Sequence, residues 1–151
     1  MRLRSFRPLL LAALPVALSA CAAQPGPVHT RLYPEQAVFN AAQVAPRPVF
    51  GVFDMAVRAT GRDKSRLYLN SQTDYRDPRC LTIVITPKVE QALIRRLGGD
   101  VEKALLGQRI AVQGAARTVR IDFTTYGRPS GKYYYQTHVV LNRAEDLTIG
   151  G

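Results

Sequence analysis

Leu81-Thr82-Ile83-Val84-Ile85, running into Thr86-Pro87-Lys88-Val89-Glu90-Gln91-Ala92-Leu93-Ile94-Arg95-Arg96-Leu97-Gly98-Gly99, is the stretch on which the fold reading turns. Its first five residues are apolar on nearly both faces, the pattern of a strand buried on both sides. Then the period changes. Thr86-Pro87 supplies an N-cap followed by proline at the first helical position. Val89, Ala92, Leu93 and Leu97 recur at helical spacing, and Gly98-Gly99 ends the run. Asp100 caps a second short turn that carries Leu105 and Leu106 and stops at Gly107.

Upstream, Val49, Phe53, Met55 and Val57 alternate with Asp54, Arg58 and Thr60, which predicts a half-buried strand over 49–60. A polar turn, residues 61–66, leads to a second strand at Leu67-Tyr68-Leu69-Asn70. Downstream, strand pattern resumes at Arg109-Ile110-Ala111-Val112 and returns in Val119, Ile121 and Phe123, with Gly114 to Ala116 read as a bulge. A loop, Thr124 to Lys132, precedes a last strand from Tyr133 to Leu141, and Leu147 to Ile149 adds an edge. The expected fold is therefore mainly β with one helix. Three strands, a helix and two strands is the order of an OB-like five-stranded Greek-key barrel, with the helix between strands 3 and 4.

Outside this domain (49–151) the chain reads differently. Arg2, Arg4 and Arg7 precede a 12-residue apolar run, Leu9 to Ala20. That run is too short for a settled transmembrane helix, which needs roughly 20 residues, and suits a secretory signal. Leu18-Ser19-Ala20-Cys21 resembles the lipobox of bacterial lipoproteins. The resemblance implies loss of residues 1–20 and a diacylglyceryl thioether, usually with N-acylation, at Cys21. Two or more acyl chains make such anchoring stable. Ala22 after the cysteine resembles sorting to the outer membrane, with the globular part in the periplasm. The competing reading is an ordinary signal peptide beside a chance cysteine. Residues 21–48 hold five of the ten prolines and read as a lipidated N-terminus and tether. Within them Glu35 to Val44 suits a short helix, with Val38, Ala41 and Ala42 on one face.

Removing residues 1–20 leaves 18 cations against 11 acids, a net charge of +7. Only Lys64, Lys88, Lys103 and Lys132 are lysines; arginine, which pairs bidentately with phosphate and carboxylate, supplies the rest. Such an exported chain suits anionic lipid, lipopolysaccharide or an envelope protein as partner. Nucleic acid is a partner only where it reaches that compartment. A skewed genome composition explains the arginines equally well.

Leu67 to Ser71, Asp74 to Pro78, Leu81 to Ile85 and Leu106 to Gly114 together resemble OB-like domains of exported bacterial proteins without assigned activity. The resemblance spans Val49 to about Ile149 and carries no catalytic residues. OB-folds bind on the face of strands 2 and 3 and between the loops joining strands 1–2 and 4–5. Here those loops hold Arg62, Lys64 and Arg66, and Tyr126, Arg128 and Lys132. With Tyr68 and Tyr134 these are the candidate ligand-binding residues. Cations beside exposed rings suit a phosphate-bearing or sugar-like ligand; solvated hairpin tips are the plainer reading.

Along Tyr133-Tyr134-Tyr135, Tyr133 and Tyr135 share a face with Val139 and Leu141, and Tyr134 shares the other with Gln136 and His138. Core packing with cross-strand aromatic pairing accounts for most of this, and a binding row of Tyr134, Gln136 and His138 is the sharper reading. Asp74-Tyr75-Arg76-Asp77 reads as an internally paired loop, with a loop that holds a substrate as the alternative. Cys80 opens an apolar strand and reads as a buried small hydrophobe. His29 and His138 lack metal-ligand spacing, and no nucleophile, phosphate-loop or metalloprotease motif occurs. Neither a cofactor nor an enzymatic activity is expected. The expected role is a tethered periplasmic binding lipoprotein; the alternative is an assembly accessory that docks an envelope protein through a sheet edge.

Overall fold

In the computed structural model, residues 30–150 are described. The expected signal peptide (1–20), Cys21 and the tether up to residue 29 lie outside them. In chain order the elements are β1 (Arg31–Leu32), α1 (Pro34–Val44), β2 (Val49–Ala56), β3 (Ala59–Arg62), β4 (Leu67–Asn70), β5 (Leu81–Ile85), α2 (Pro87–Leu97), α3 (Val101–Leu105), β6 (Arg109–Thr125), β7 (Arg128–Leu141), a 3-10 turn (Ala144–Asp146) and β8 (Leu147–Ile149).

The domain is mainly β, and among the described residues it has three α-helices rather than the one expected. One curled sheet runs in the order β1-β2-β6-β7-β5-β4-β3, with β8 added to β6. β5 explains the uninterrupted apolar pattern of Leu81–Ile85. It lies between β4, antiparallel, and β7, parallel, and all five residues are buried. A parallel partner demands a crossover, which α2, α3 and β6 provide. Gly98 ends α2 in the left-handed conformation, its N–H donating to the Ile94 carbonyl. Thr86 occupies the N-cap position of α2 without a side-chain capping bond. Asp100 does cap α3, accepting from the N–H groups of Glu102 and Lys103.

The strand expected over 49–60 bends at Val57-Arg58. Val57 N–H donates to Gln108 O (2.8 Å) and Arg58 N–H to Asn70 O (2.9 Å). The run from Val49 to Arg62 is thus bonded to β6 by its first half and to β4 by its second. Phe53, Met55 and Val57 point into the core, where they join Leu67, Leu69, Ile83, Leu93, Leu105, Ile110 and Leu141.

Residues 31–44 of the expected tether carry β1 and α1. β1 pairs in parallel with β2, and α1 packs on the sheet through Ala37 and Ala41, both fully buried. Val38 packs against the core as expected, but Ala42 is exposed. Asp54 keeps the face opposite Phe53 and Met55, as alternation predicts, but is not solvated there. It is 2% exposed and lies between Arg31 and Arg109.

Two expectations fail at the far end of the sheet. β6 runs unbroken through Gly114, and the irregularity falls later, between Asp122 and Thr124. The predicted loop from Thr124 to Lys132 is instead a two-residue turn, Tyr126-Gly127, closing a long β6–β7 hairpin. The last buried cross-strand pair is Ala116 with Val139. Past Thr137, which is still buried, the core-side face of the hairpin has no layer behind it. Tyr133 and Tyr135, expected in the core, are therefore exposed; they pack on each other edge to face, with centroids 5.7 Å apart.

Candidate functional site

The β3–β4 turn is built around Asp63. Its carboxylate accepts the Ser65 and Arg66 N–H groups (2.7 Å each) and the Tyr68 hydroxyl (2.7 Å). Acting chiefly through that hydroxyl, these bonds lower the Asp63 pKa to about 2. Because Leu67 and Leu69 point inward, Tyr68 stands on the outer face of β4, as the alternation predicts.

Facing it across the sheet, β7 presents Tyr134, Gln136 and His138 from alternate positions. Gln136 Nε2 donates to the Tyr75 carbonyl (3.1 Å) and to the Tyr134 hydroxyl oxygen (3.0 Å). A carbonyl only accepts, so the amide orientation is fixed and Oε1 faces His138 Nε2 at 2.6 Å. That ring nitrogen must carry the proton. Burial, then the positive charge of Arg66, pushes the His138 pKa down to about 4. At neutral pH the imidazole is uncharged and Nδ1 keeps its lone pair. The rings of His138 and Tyr68 lie 6.2 Å apart, and Tyr134 leans on Phe123 at 5.2 Å.

Together these groups enclose a cleft of about 480 Å³, to which Tyr75, Asn70, Thr82 and Thr60 also contribute. Thr82 donates to the Asn70 side-chain oxygen at 2.9 Å. Tyr68, Tyr75 and Tyr134 line the cleft with Gln136 and His138, beside Arg62 and Asp63; the hydrogen bonds among the described residues use neither the Tyr134 hydroxyl hydrogen nor His138 Nδ1. Uncharged polar groups between aromatic rings suit a polyhydroxylated or heteroaromatic ring.

Three of the sequence candidates, Arg62, Tyr68 and Tyr134, line this cleft. Arg62 is already engaged by Glu90 through two bonds (2.7 and 3.1 Å), with Glu102 at 3.7 Å. Arg66 follows the turn and acts on His138 electrostatically. Lys132 is exposed on β7 two residues from Tyr134, roughly 7 Å along the strand. Lys64 is exposed in the turn, and Tyr126 and Arg128 stand at the hairpin tip; none of these three lines the cleft. From Tyr134 to Arg128 is roughly 20 Å of strand.

Tyr75 is not one of the candidate binding residues, although its loop has substrate holding as its alternative reading. The loop that carries it is internally paired: Asp74 accepts the Arg76 N–H, and Asp77 binds the Arg79 N–H and guanidinium. Arg76 stacks over the Tyr75 ring at 5.1 Å. Only the Gln136 bond to the Tyr75 carbonyl, across 61 positions, shows why this loop closes the cleft. Cys80 is buried and free. Among the described residues no three His, Cys, Asp or Glu side chains gather as a metal set, and no helix is long and apolar enough to cross a membrane.

Neither a protein-family model nor a curated protein matches the chain.

Proposed function

We propose that the protein is a lipid-anchored lipoprotein of the bacterial envelope, held at the outer membrane and facing the periplasm, whose domain is an OB-like module that binds an anionic, sugar-like or phosphate-bearing ligand. The carrying observation is the cleft itself: the uncharged Tyr68, Tyr75, Tyr134, Gln136 and His138 line it beside the ion-paired Arg62 and the ionised, turn-bound Asp63, and Arg66, Arg76 and Lys132 stand nearby. A ring is held by stacking and hydroxyl bonds, and a charge on its periphery is met by arginine.

The OB-like reading is supported by connectivity. If the bent run 49–62 is one strand, then β4, β5, β6 and β7 make up the five, and α2 and α3 fall between the third and fourth. The first strand pairs with the second and fourth, and the third pairs in parallel with the fifth. The cleft lies on the outer face of the second and third strands, where such barrels bind. The anchor reading rests on Leu18-Ser19-Ala20-Cys21.

A second reading, docking of an envelope protein by strand addition, is favoured by one feature: β7 residues 128–136 pair with β6 alone and leave an edge open.

Among the described residues, every core residue lies between Leu32 and Leu147, so residues 22–151, without the expected signal peptide and Cys21, serve as the form for solution measurements. Calorimetric titration with acyl-free lipopolysaccharide carbohydrate tests the cleft. Saturable binding that weakens with salt, and roughly tenfold on Arg66→Ala or Tyr134→Ala, is expected. Binding indifferent to both variants and to salt contradicts it and favours the edge. Membrane fractionation of wild type beside Cys21→Ala tests the anchor independently.

A further inference from the structure

The β6–β7 hairpin continues past the last buried pair, and its end is chemically unlike the cleft. Tyr126 is fully exposed and has φ +51°, the only positive φ at a non-glycine position among the described residues. Gly127 follows with φ +76°. Positive φ at both central residues is the type I′ pattern, which favours Asn, Asp or Gly at the first position. A tyrosine there is strained, and packing does not explain it, because the ring touches no core. Strain kept at an exposed position points to function.

The surroundings say which function. Residues 117–136 carry Arg117, Arg120, Arg128 and Lys132 against a single acid, Asp122, a net charge of +3. Arg120 holds Asp122 at 2.7 Å. Among the described residues no carboxylate lies within 4.0 Å of Arg128 or Lys132. Phe123 and Tyr133 are exposed behind the tip. A protruding end with a tyrosine at its apex and unpaired cations just behind matches a lipid interface, where aromatic rings sit at headgroup depth and cations meet phosphate.

We propose that the Tyr126-Gly127 tip docks on the surface of an anionic lipid bilayer, with Tyr126 at headgroup level and Arg128 and Lys132 on lipid phosphates. Two other occupants fit less well. A single nucleic-acid strand needs a row of open ring faces to stack on, whereas Tyr126 stands alone at the apex and the next ring along β7, Tyr133, is covered by Arg120 at 4.0 Å and meets Tyr135 edge-on. A stable protein partner needs roughly 800 Å² on each side, more than a two-residue apex offers. Docking centres on the Tyr126-Gly127 tip, roughly 20 Å of strand from Tyr134; Lys132, between the two, is the one residue shared with the periphery of the cleft, and the anchor reading enters only for where the bilayer is met.

The test uses residues 22–151 without lipid and vesicles of phosphatidylcholine with or without phosphatidylglycerol. Flotation with anionic vesicles alone is expected, weakening with salt and roughly fivefold for each of Arg128→Gln and Lys132→Gln. Tyr126→Asn suits the turn better, so it should keep or raise the melting temperature while binding vesicles roughly tenfold more weakly. Lys88→Gln, the same charge loss on α2, should keep vesicle binding. The chain contains no tryptophan, so Tyr126→Trp is a single reporter whose emission should shift to the blue on anionic vesicles. No flotation, unchanged emission, or an oligonucleotide bound more tightly than vesicles at the same salt overturns the proposal. Carbohydrate binding that survives in Tyr126→Asn separates a failure of docking from a failure of the cleft.

Discussion

Arg31 Nη1 meets Asp54 Oδ2 at 2.6 Å, joining the first described strand to the second across 23 positions. The other carboxylate oxygen faces Arg109 Nε at 2.8 Å, an ion pair by distance but off the hydrogen-bond direction. The Asp54 side chain is almost wholly buried, while both arginine side chains are about half exposed. Either arginine alone can compensate the buried charge. Arg31→Ala and Arg109→Ala should each cost about 1–3 kcal/mol. The double variant should lose more than the sum, because it strands an unpaired carboxylate. Urea unfolding of the four-member cycle measures this.

Gly51 lies where β2 accepts β1. A Cβ there would stand 2.8 Å from the Thr30 carbonyl oxygen, which also accepts the Val52 N–H at 3.0 Å. Backbone cannot yield as a side-chain end can. Gly51→Ala should cost about 1–3 kcal/mol and speed hydrogen exchange at Val52 while leaving β4 and β5 protected.

The buried imidazole gives stability a pH dependence. His138 titrates near 4 in the folded chain and near 6.5 when free. Between these values the unfolded chain holds a proton that the folded chain does not. Stability therefore rises with pH through that window, is complete above about 6.5, and is lost as pH falls toward 4. Asp63, held near 2 by Tyr68, adds a loss of the same sign only below its free value of 3.8. The urea midpoint should be higher at about pH 7 than at about pH 4.5, and His138→Gln should flatten most of that difference.

Cys80 is 3% exposed, and the Ser71 hydroxyl lies 4.0 Å from its sulfur. In residues 22–151 it should react with Ellman's reagent only at the rate of unfolding and at the full rate in urea. Prompt reaction of the folded protein would show that this strand opens locally.

What the sequence disclosed follows from how local each signal is. α2 was legible because Pro87, the helical spacing of Val89 and Leu93, and Gly98 all lie within one element. β4 and β5 were legible from alternation and from burial on both faces. β1 was not, since two residues carry no period and their parallel partner is fixed only by tertiary contact. Gly127, Pro129, Ser130 and Gly131 suggested a loop, yet β7 there has an open edge, where strand proline is tolerated. The parity of Tyr133 and Tyr135 was read correctly, since Val139 and Leu141 on that face are buried. The extent of the core was not, because alternation tells which face a residue occupies and not where the opposing layer stops. In the cleft, Tyr68, Tyr134, Gln136 and His138 followed from strand parity, whereas Tyr75 depends on a loop folding back over β7.

Amide chemical-shift mapping of residues 22–151 during titration with acyl-free lipopolysaccharide carbohydrate tests the central claim most directly. The account predicts saturable shifts gathered at Thr60 to Asp63, Tyr68 to Tyr75, Thr82 and Tyr134 to His138, with the His138 ring signals moving alongside. Shifts confined to the open edge of β7, or no saturable shift at low salt, would contradict it.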